Sequence, residues 1–281
     1  MNIENLSRLF WHNGNIENIE DRISEFYITS AFGFSFQEVA VTYSTDILFF
    51  DETFLRLASL VKIYRFNSNL LADETGDYLK NEVKRLLVRN RYYKTARCII
   101  MFLQNPKNQK VEEYIFIEPD IYLFSIGKIV NRCIFIPQLP KPFGAVMNLP
   151  TIDYEYKKLV SNEIKRENAE DCIILNQNNI VSETFLGNIF LVGPERIVTP
   201  SLNTHCNPGV MREVVIEELK KLNYPIYEED VISEEDVMSS VEIFTAGTNG
   251  IFTIKGIGYL RFFDDVRKMI LVKINEMLLK N

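Results

Sequence analysis

The chain has 281 residues, 47% of them apolar and 25% charged, with 20 Phe and 13 Tyr, enough to fill the cores of two ordinary domains. A net charge of −7 and the lack of a long basic run argue against a nucleic-acid partner. No apolar run approaches the roughly 18 residues of a membrane span, and Met1-Asn2-Ile3-Glu4-Asn5 does not open like a signal peptide, so a cytoplasmic protein is expected.

In chain order, Phe10 to Gly14 reads as a strand entering an Asn-Gly turn, and Phe34 to Tyr43 as a second strand. Asp51-Glu52-Thr53 opens a helix with Phe54, Leu55, Leu57, Leu60 and Val61 at helical spacing. Asp77 to Asn90 is a second helix. Arg97 to Leu103 and Tyr114 to Ile117 are strands joined by the polar stretch Gln104 to Glu113. Pro119 and Asp120 interrupt the pattern. Beyond them come an extended segment, Cys133 to Pro137, the loop Pro140 to Gly144, and a helix with Ile152, Tyr156, Leu159, Val160 and Ile164 on one stripe. Cys172 to Asn176 and Ile180 to Glu183 form a hairpin turning at Gln177-Asn178-Asn179. Strands Asn188 to Val192 and Arg196 to Thr199 follow, then a helix from Pro208-Gly209 to about Leu222. Glu242 to Ala246 is a strand that ends at Gly247-Thr248, and Asp264 to Leu279 is the terminal helix. The expected fold is α+β in two parts. A small N-terminal α/β domain spans 1–120, a connection 121–127, and a larger strand-rich domain 128–281.

Cys98, Cys133, Cys172 and Cys206 have no zinc spacing, and His12 and His205 are the only histidines, so no metal centre is expected. Cys98 and Cys172 lie in apolar runs and read as buried free thiols on strands.

Four motifs stand in order along the chain. They are Thr53-Phe54-Leu55-Arg56-Leu57; Val181-Ser182-Glu183, followed after four residues by Asn188-Ile189-Phe190; Pro208-Gly209-Val210-Met211-Arg212; and Phe244-Thr245-Ala246-Gly247-Thr248. Alone, each is a helix arginine, a hairpin end, a helix start and a turn. Together they resemble the class-IV aminotransferases, the fold-type IV enzymes of pyridoxal phosphate (PLP), which include branched-chain and D-amino acid aminotransferases and aminodeoxychorismate lyase. The resemblance implies that fold, PLP as cofactor, a small amino acid or keto acid as substrate, and a homodimer. It also implies roles. Glu183 meets the pyridine nitrogen. Arg56, the Val210 and Met211 backbone and Thr248 hold the phosphate. Tyr154 reaches the phenolic oxygen, and Arg97 and Asn249 receive substrate.

The family's Schiff-base lysine lies roughly 33 residues before that Glu. Counting back from Glu183 reaches Pro150, in Leu149-Pro150-Thr151-Ile152-Asp153-Tyr154. Lys141 stands nine residues early, and Lys157 and Lys158 seven and eight late. The count therefore assigns no catalytic lysine, and PLP, if bound, is expected to be non-covalent. Two functions follow. One is an aminotransferase or lyase-like enzyme in which Tyr154, Lys157 or Lys158 replaces the base. The other is a non-catalytic homologue that binds PLP or another phosphate-bearing ligand and acts by binding or dimerisation.

Overall fold

A computed structural model describes residues 5–20, 35–105, 108–142 and 154–280. The chain divides into two compact units that part between Tyr122 and Leu123.

The first unit is a six-stranded antiparallel sheet. Its strands are β1 (Leu9–His12), β2 (Asn15–Asn18), β3 (Ser35–Tyr43), β4 (Asp46–Leu48), β5 (Ala96–Gln104) and β6 (Val111–Pro119), in the order β2-β1-β6-β5-β3-β4. Asn13 and Gly14 both take positive φ, 45° and 92°, as a two-residue hairpin demands. Helices α1 (Phe50–Tyr64) and α2 (Asp77–Arg89) accompany the sheet. In α1, Thr53, Leu57 and Leu60 turn inward, and Leu55, expected on the apolar stripe, is 68% exposed. It stands two residues from Thr53 and Leu57 alike, which places it on the opposite face. The polar stretch Gln104 to Glu113 is also shorter as a connection than its composition implies. The β5–β6 ladder runs out to Gln104 opposite Val111. Glu113 is buried there because its carboxylate accepts the Ser68 hydroxyl and the Leu70 N–H.

The second unit holds two sheets. One has the order β10-β9-β8-β16-β17, from β8 (Cys133–Phe135), β9 (Asp171–Leu175), β10 (Val181–Thr184), β16 (Gly256–Ile257) and β17 (Leu260–Arg261). The other has the order β13-β12-β11-β14-β15-β7, from β7 (Ile129–Val130), β11 (Asn188–Val192), β12 (Ile197–Pro200), β13 (Ile226–Glu229), β14 (Glu242–Gly247) and β15 (Gly250–Ile254). Cys133, Ile173, Leu175 and Val181 of the first sheet share one core with Ile189, Leu191, Ile243 and Ile254 of the second. These strands are near-continuous apolar runs because the sheet faces meet. Among the described residues four α-helices complete the unit: α3 (Tyr154–Arg166), α4 (Val210–Lys221), α5 (Glu234–Met238) and α6 (Val266–Lys280). Val160 and Ile164 of α3 pack on Ile136, Cys172 and Ile174. Leu159, expected on the same stripe, is 52% exposed, one helical step behind Val160. All four cysteines are free and buried. Among the described residues, no helix is long and apolar enough to cross a membrane.

Candidate functional site

The site of the second unit is built around strand β9. β10 pairs with it antiparallel on one flank. On the other flank β8 runs parallel to it, and beyond β8 the chain returns to the ladder at Lys141, which bridges Asn176 and donates its N–H to Leu175 O at 2.7 Å. Lys141 and Glu183 therefore approach each other from opposite sides of one strand.

A β-bulge aims Glu183. Val181 pairs with Leu175 and Glu183 with Ile174, so Ser182 is the extra residue. The bulge breaks the alternation: Val181 and Ser182 are both buried and Glu183 is partly open. The Glu183 carboxylate is held at both oxygens. Oε1 meets Lys141 Nζ at 2.6 Å, and Oε2 accepts the Asn207 N–H at 2.7 Å. The Lys141 side chain is only 6% exposed. A buried ammonium of this kind needs such a partner.

From Asn207 the arrangement extends to the helix start. The Asn188 amide donates to Asn207 O at 2.8 Å, and Gly209 N–H donates to the same carbonyl at 2.9 Å. Helix α4 begins at Val210, and Arg212 N–H is the first to bond back, to Gly209 O at 3.0 Å. The Val210 and Met211 N–H groups thus stand outside the helix's own hydrogen-bond ladder, as in the first turn of any α-helix. Arg212 is itself buried and spoken for, by Pro200 O, Glu228 and Glu213.

The Gly-Thr turn lies beside the same elements. Asn188 pairs with Ala246, and Thr184 Oγ1 meets Thr245 Oγ1 at 2.8 Å. A Cβ on Gly187 would come within 2.2 Å of Ala246 O, and one on Gly247 within 2.2 Å of Leu186 O. Only glycines permit this approach. Thr248 is exposed at the tip of the β14–β15 turn, next to half-buried Asn249.

Hydrogen bonds and strand pairing thus link Lys141, Glu183, Asn207 and the start of α4, and connect them through Asn188 to the strand that ends in Thr248. Lys141 and Asn207 were missed in the sequence as partners of Glu183. Counting along the chain could not find Lys141, because its placement comes from pairing across β9.

The remaining expected residues fall elsewhere. Arg56 and Arg97 belong to the first unit. Arg56 Nε forms a buried ion pair with Glu38, and Arg97 pairs with Glu118 at 2.8 Å. Burial pushes the Glu38 carboxyl up from its ordinary value, and Arg56 opposes that shift. Tyr154 is the first residue of α3. Lys157 and Lys158 are exposed on the same helix. Pro150 lies outside the described residues.

The sequence matches the family profile described as amino-transferase class IV over residues 36–257. It is 27% identical over 217 residues to a probable branched-chain-amino-acid aminotransferase of Aquifex aeolicus, across 72% of this chain and 66% of that protein. It is 38% identical over 92 residues to branched-chain-amino-acid aminotransferase-like protein 2 of Arabidopsis thaliana, across 33% of this chain and 16% of that one. The structure superposes on a branched-chain amino acid aminotransferase of Thermobaculum terrenum with a TM-score of 0.85 at 16% identity, over 98% of this chain and 94% of that one. Another structure of that protein, in its PLP form, gives 0.84 at 16% identity over 98% and 95%. The Escherichia coli branched-chain amino acid aminotransferase gives 0.83 at 20% identity over 97% and 94%. These structural likenesses establish the shared fold.

Proposed function

The chain belongs to the class IV aminotransferase family, which is PLP-dependent, and from that premise we propose that it is a PLP-dependent aminotransferase with Lys141 as its catalytic lysine. It would move an amino group between a small amino acid, or an amino-substituted small acid, and a keto acid, and would act in the cytoplasm as a homodimer. One observation carries the reading: the buried Lys141 ammonium stands 2.6 Å from the carboxylate of Glu183.

The donor set fits the cofactor. A carboxylate suits a pyridine nitrogen, a buried amine suits an aldehyde, and free N–H groups at a helix start suit a phosphate. PLP, when bound, supplies an electron sink that loosens the bonds at an amino acid's α-carbon. The chain's own residues do the rest. Glu183, steadied by Asn207, keeps the ring nitrogen protonated. Lys141 would be the amine that holds the aldehyde and, in its neutral form, the base that takes the substrate's α-proton and returns it. General acid–base help of this kind is worth roughly 10²–10⁴-fold. The Val210 and Met211 N–H groups and the Thr248 hydroxyl hold the phosphate. Arg56, Tyr154, Arg97 and Asn249 keep the roles that the family resemblance implies.

The lysine-less alternative assigns the attachment position to Pro150 and predicts PLP bound without a covalent link. Borohydride reduction of the PLP-loaded protein, followed by peptide mass mapping, separates the two. The expected result is a pyridoxyl group on Lys141, lost in Lys141→Ala. Bound PLP with no adduct, or an adduct on Lys157 or Lys158, would overturn the assignment.

A further inference from the structure

Beneath the turn that carries Glu183 lies a buried acid with no cationic partner. Asp171, the first residue of β9, is fully buried. Its Oδ1 accepts the Cys172 N–H at 2.8 Å and, across the sheet, the Leu186 N–H at 3.2 Å. Its Oδ2 is buried without a hydrogen-bond partner. Among the described residues it has no ion pair. Leu186 belongs to the turn between β10 and β11, with Glu183 on one side and Asn188 on the other. The carbonyl of the same Leu186 lies against Gly247, next to Thr248.

We infer that Asp171 is a positioning residue for the cofactor site, holding the Glu183–Asn188 turn in place through the Leu186 N–H. The inference rests on the reading of that site as a PLP site. Its logic is geometric. The turn has two products, the aim of the Glu183 carboxylate and the seat of Gly247 and Thr248, and Asp171 is the side chain that ties it to β9.

The form of the acid that fits this place is the neutral one. The groups facing it are Cys133 from β8, Cys172 on its own strand and the Thr184 hydroxyl from β10. That hydroxyl donates to Gly187 O at 3.2 Å and meets Thr245 Oγ1 at 2.8 Å, and with the Phe185 N–H it also draws the Asp171 carboxyl downward. None of the three brings a positive charge. Burial accordingly raises the Asp171 carboxyl from 3.8 to about 7, against the opposing pull of the hydrogen bonds it accepts. Above that pH the group carries an uncompensated buried charge. The turn then loosens to admit water, and the cofactor site loosens with it.

The test is a PLP titration by absorbance from pH 6 to pH 8.5, on wild type, Asp171→Asn and Asp171→Ala, with circular dichroism to verify folding. Asparagine keeps the Oδ1 acceptor and never ionises. Wild type should lose at least about fivefold more PLP affinity across this range than Asp171→Asn, which should keep the wild-type affinity at pH 6. Asp171→Ala, which removes the acceptor, should bind at least about tenfold more weakly at every pH. Coincident pH profiles for wild type and Asp171→Asn would overturn the inference while leaving the PLP reading intact. Failure of wild type to bind PLP at any pH would overturn both. If Asp171→Ala does not fold, the comparison of wild type with Asp171→Asn still decides.

Discussion

At the scale of single residues, most buried charged groups among the described residues sit in ion pairs, Glu113 and Glu242 are held by hydrogen bonds alone, and Asp171 keeps one carboxylate oxygen without a partner. Glu38 is buried with the Arg56 guanidinium as its ion-pair partner, so removing Arg56 leaves a buried carboxylate without that cation. Arg56→Ala should destabilise the protein by about 3–5 kcal/mol, read as a lower urea midpoint whether or not PLP is present. The phosphate role implied for Arg56 can therefore be tested only in a variant whose folding has been checked. Asp171 makes the opposite kind of contribution. Its native value, about 7, lies above the ordinary 3.8, so between those limits the folded chain holds a proton that the unfolded chain releases. Stability contributed by that proton is complete below about pH 4 and is lost as pH rises through 7. Thermal melts of wild type and Asp171→Asn should converge below about pH 4, diverge as pH rises to about 7 and stay apart above it, with wild type the less stable. Parallel melting profiles would count against this.

At the scale of elements, the site depends on where strands can approach. Gly187 and Gly247 bring the ends of β11 and β14 together at backbone contact. Gly187→Ala or Gly247→Ala would drive a methyl group into a carbonyl oxygen. Each should cost about 1–3 kcal/mol, typical of overpacking, and should weaken PLP binding as well. A variant with unchanged melting temperature would show that the strands part without penalty. The sequence made most of these elements legible. The hairpin at Asn13-Gly14, the turn at Asn179 (φ 58°) and the helix opening after Pro208-Gly209 all follow from local chemistry. Short pieces were not legible. β4, β13, β16 and β17 have at most four residues each, too few for a period to declare itself. The bulge at Ser182 and the bridge at Lys141 were also hidden, because both are made by a partner strand and not by their own segment.

At the scale of the whole molecule, family membership was readable because four motifs stand in order, whereas counting residues back from Glu183 reached Pro150 and could not show that Lys141 stands beside that carboxylate. The same physical fact accounts for both: motifs record local contacts, whereas Lys141 and Glu183 meet across a strand. Two expectations belong to this scale. The proposed homodimer should appear as twice the 32.8 kDa chain mass in light scattering at micromolar concentration, and a monomer there would count against it. All four cysteines are buried, and burial raises each thiol above its ordinary range. Ellman's reagent should therefore find almost no fast-reacting thiol in the native protein and four after guanidinium unfolding.

Because β9 lies between them, the gap from the Lys141 backbone to the β10 backbone is set by two interstrand steps of about 4.8 Å each. It does not depend on how much chain is spent in going from one to the other. A residue count back from Glu183 is therefore no guide to which amine stands opposite its carboxylate. If Lys141 is the reactive lysine proposed above, a linear count makes this chain look as though it has lost one. Apparent inactivity inferred in that way should be rechecked by asking which residue bridges the end of the central strand.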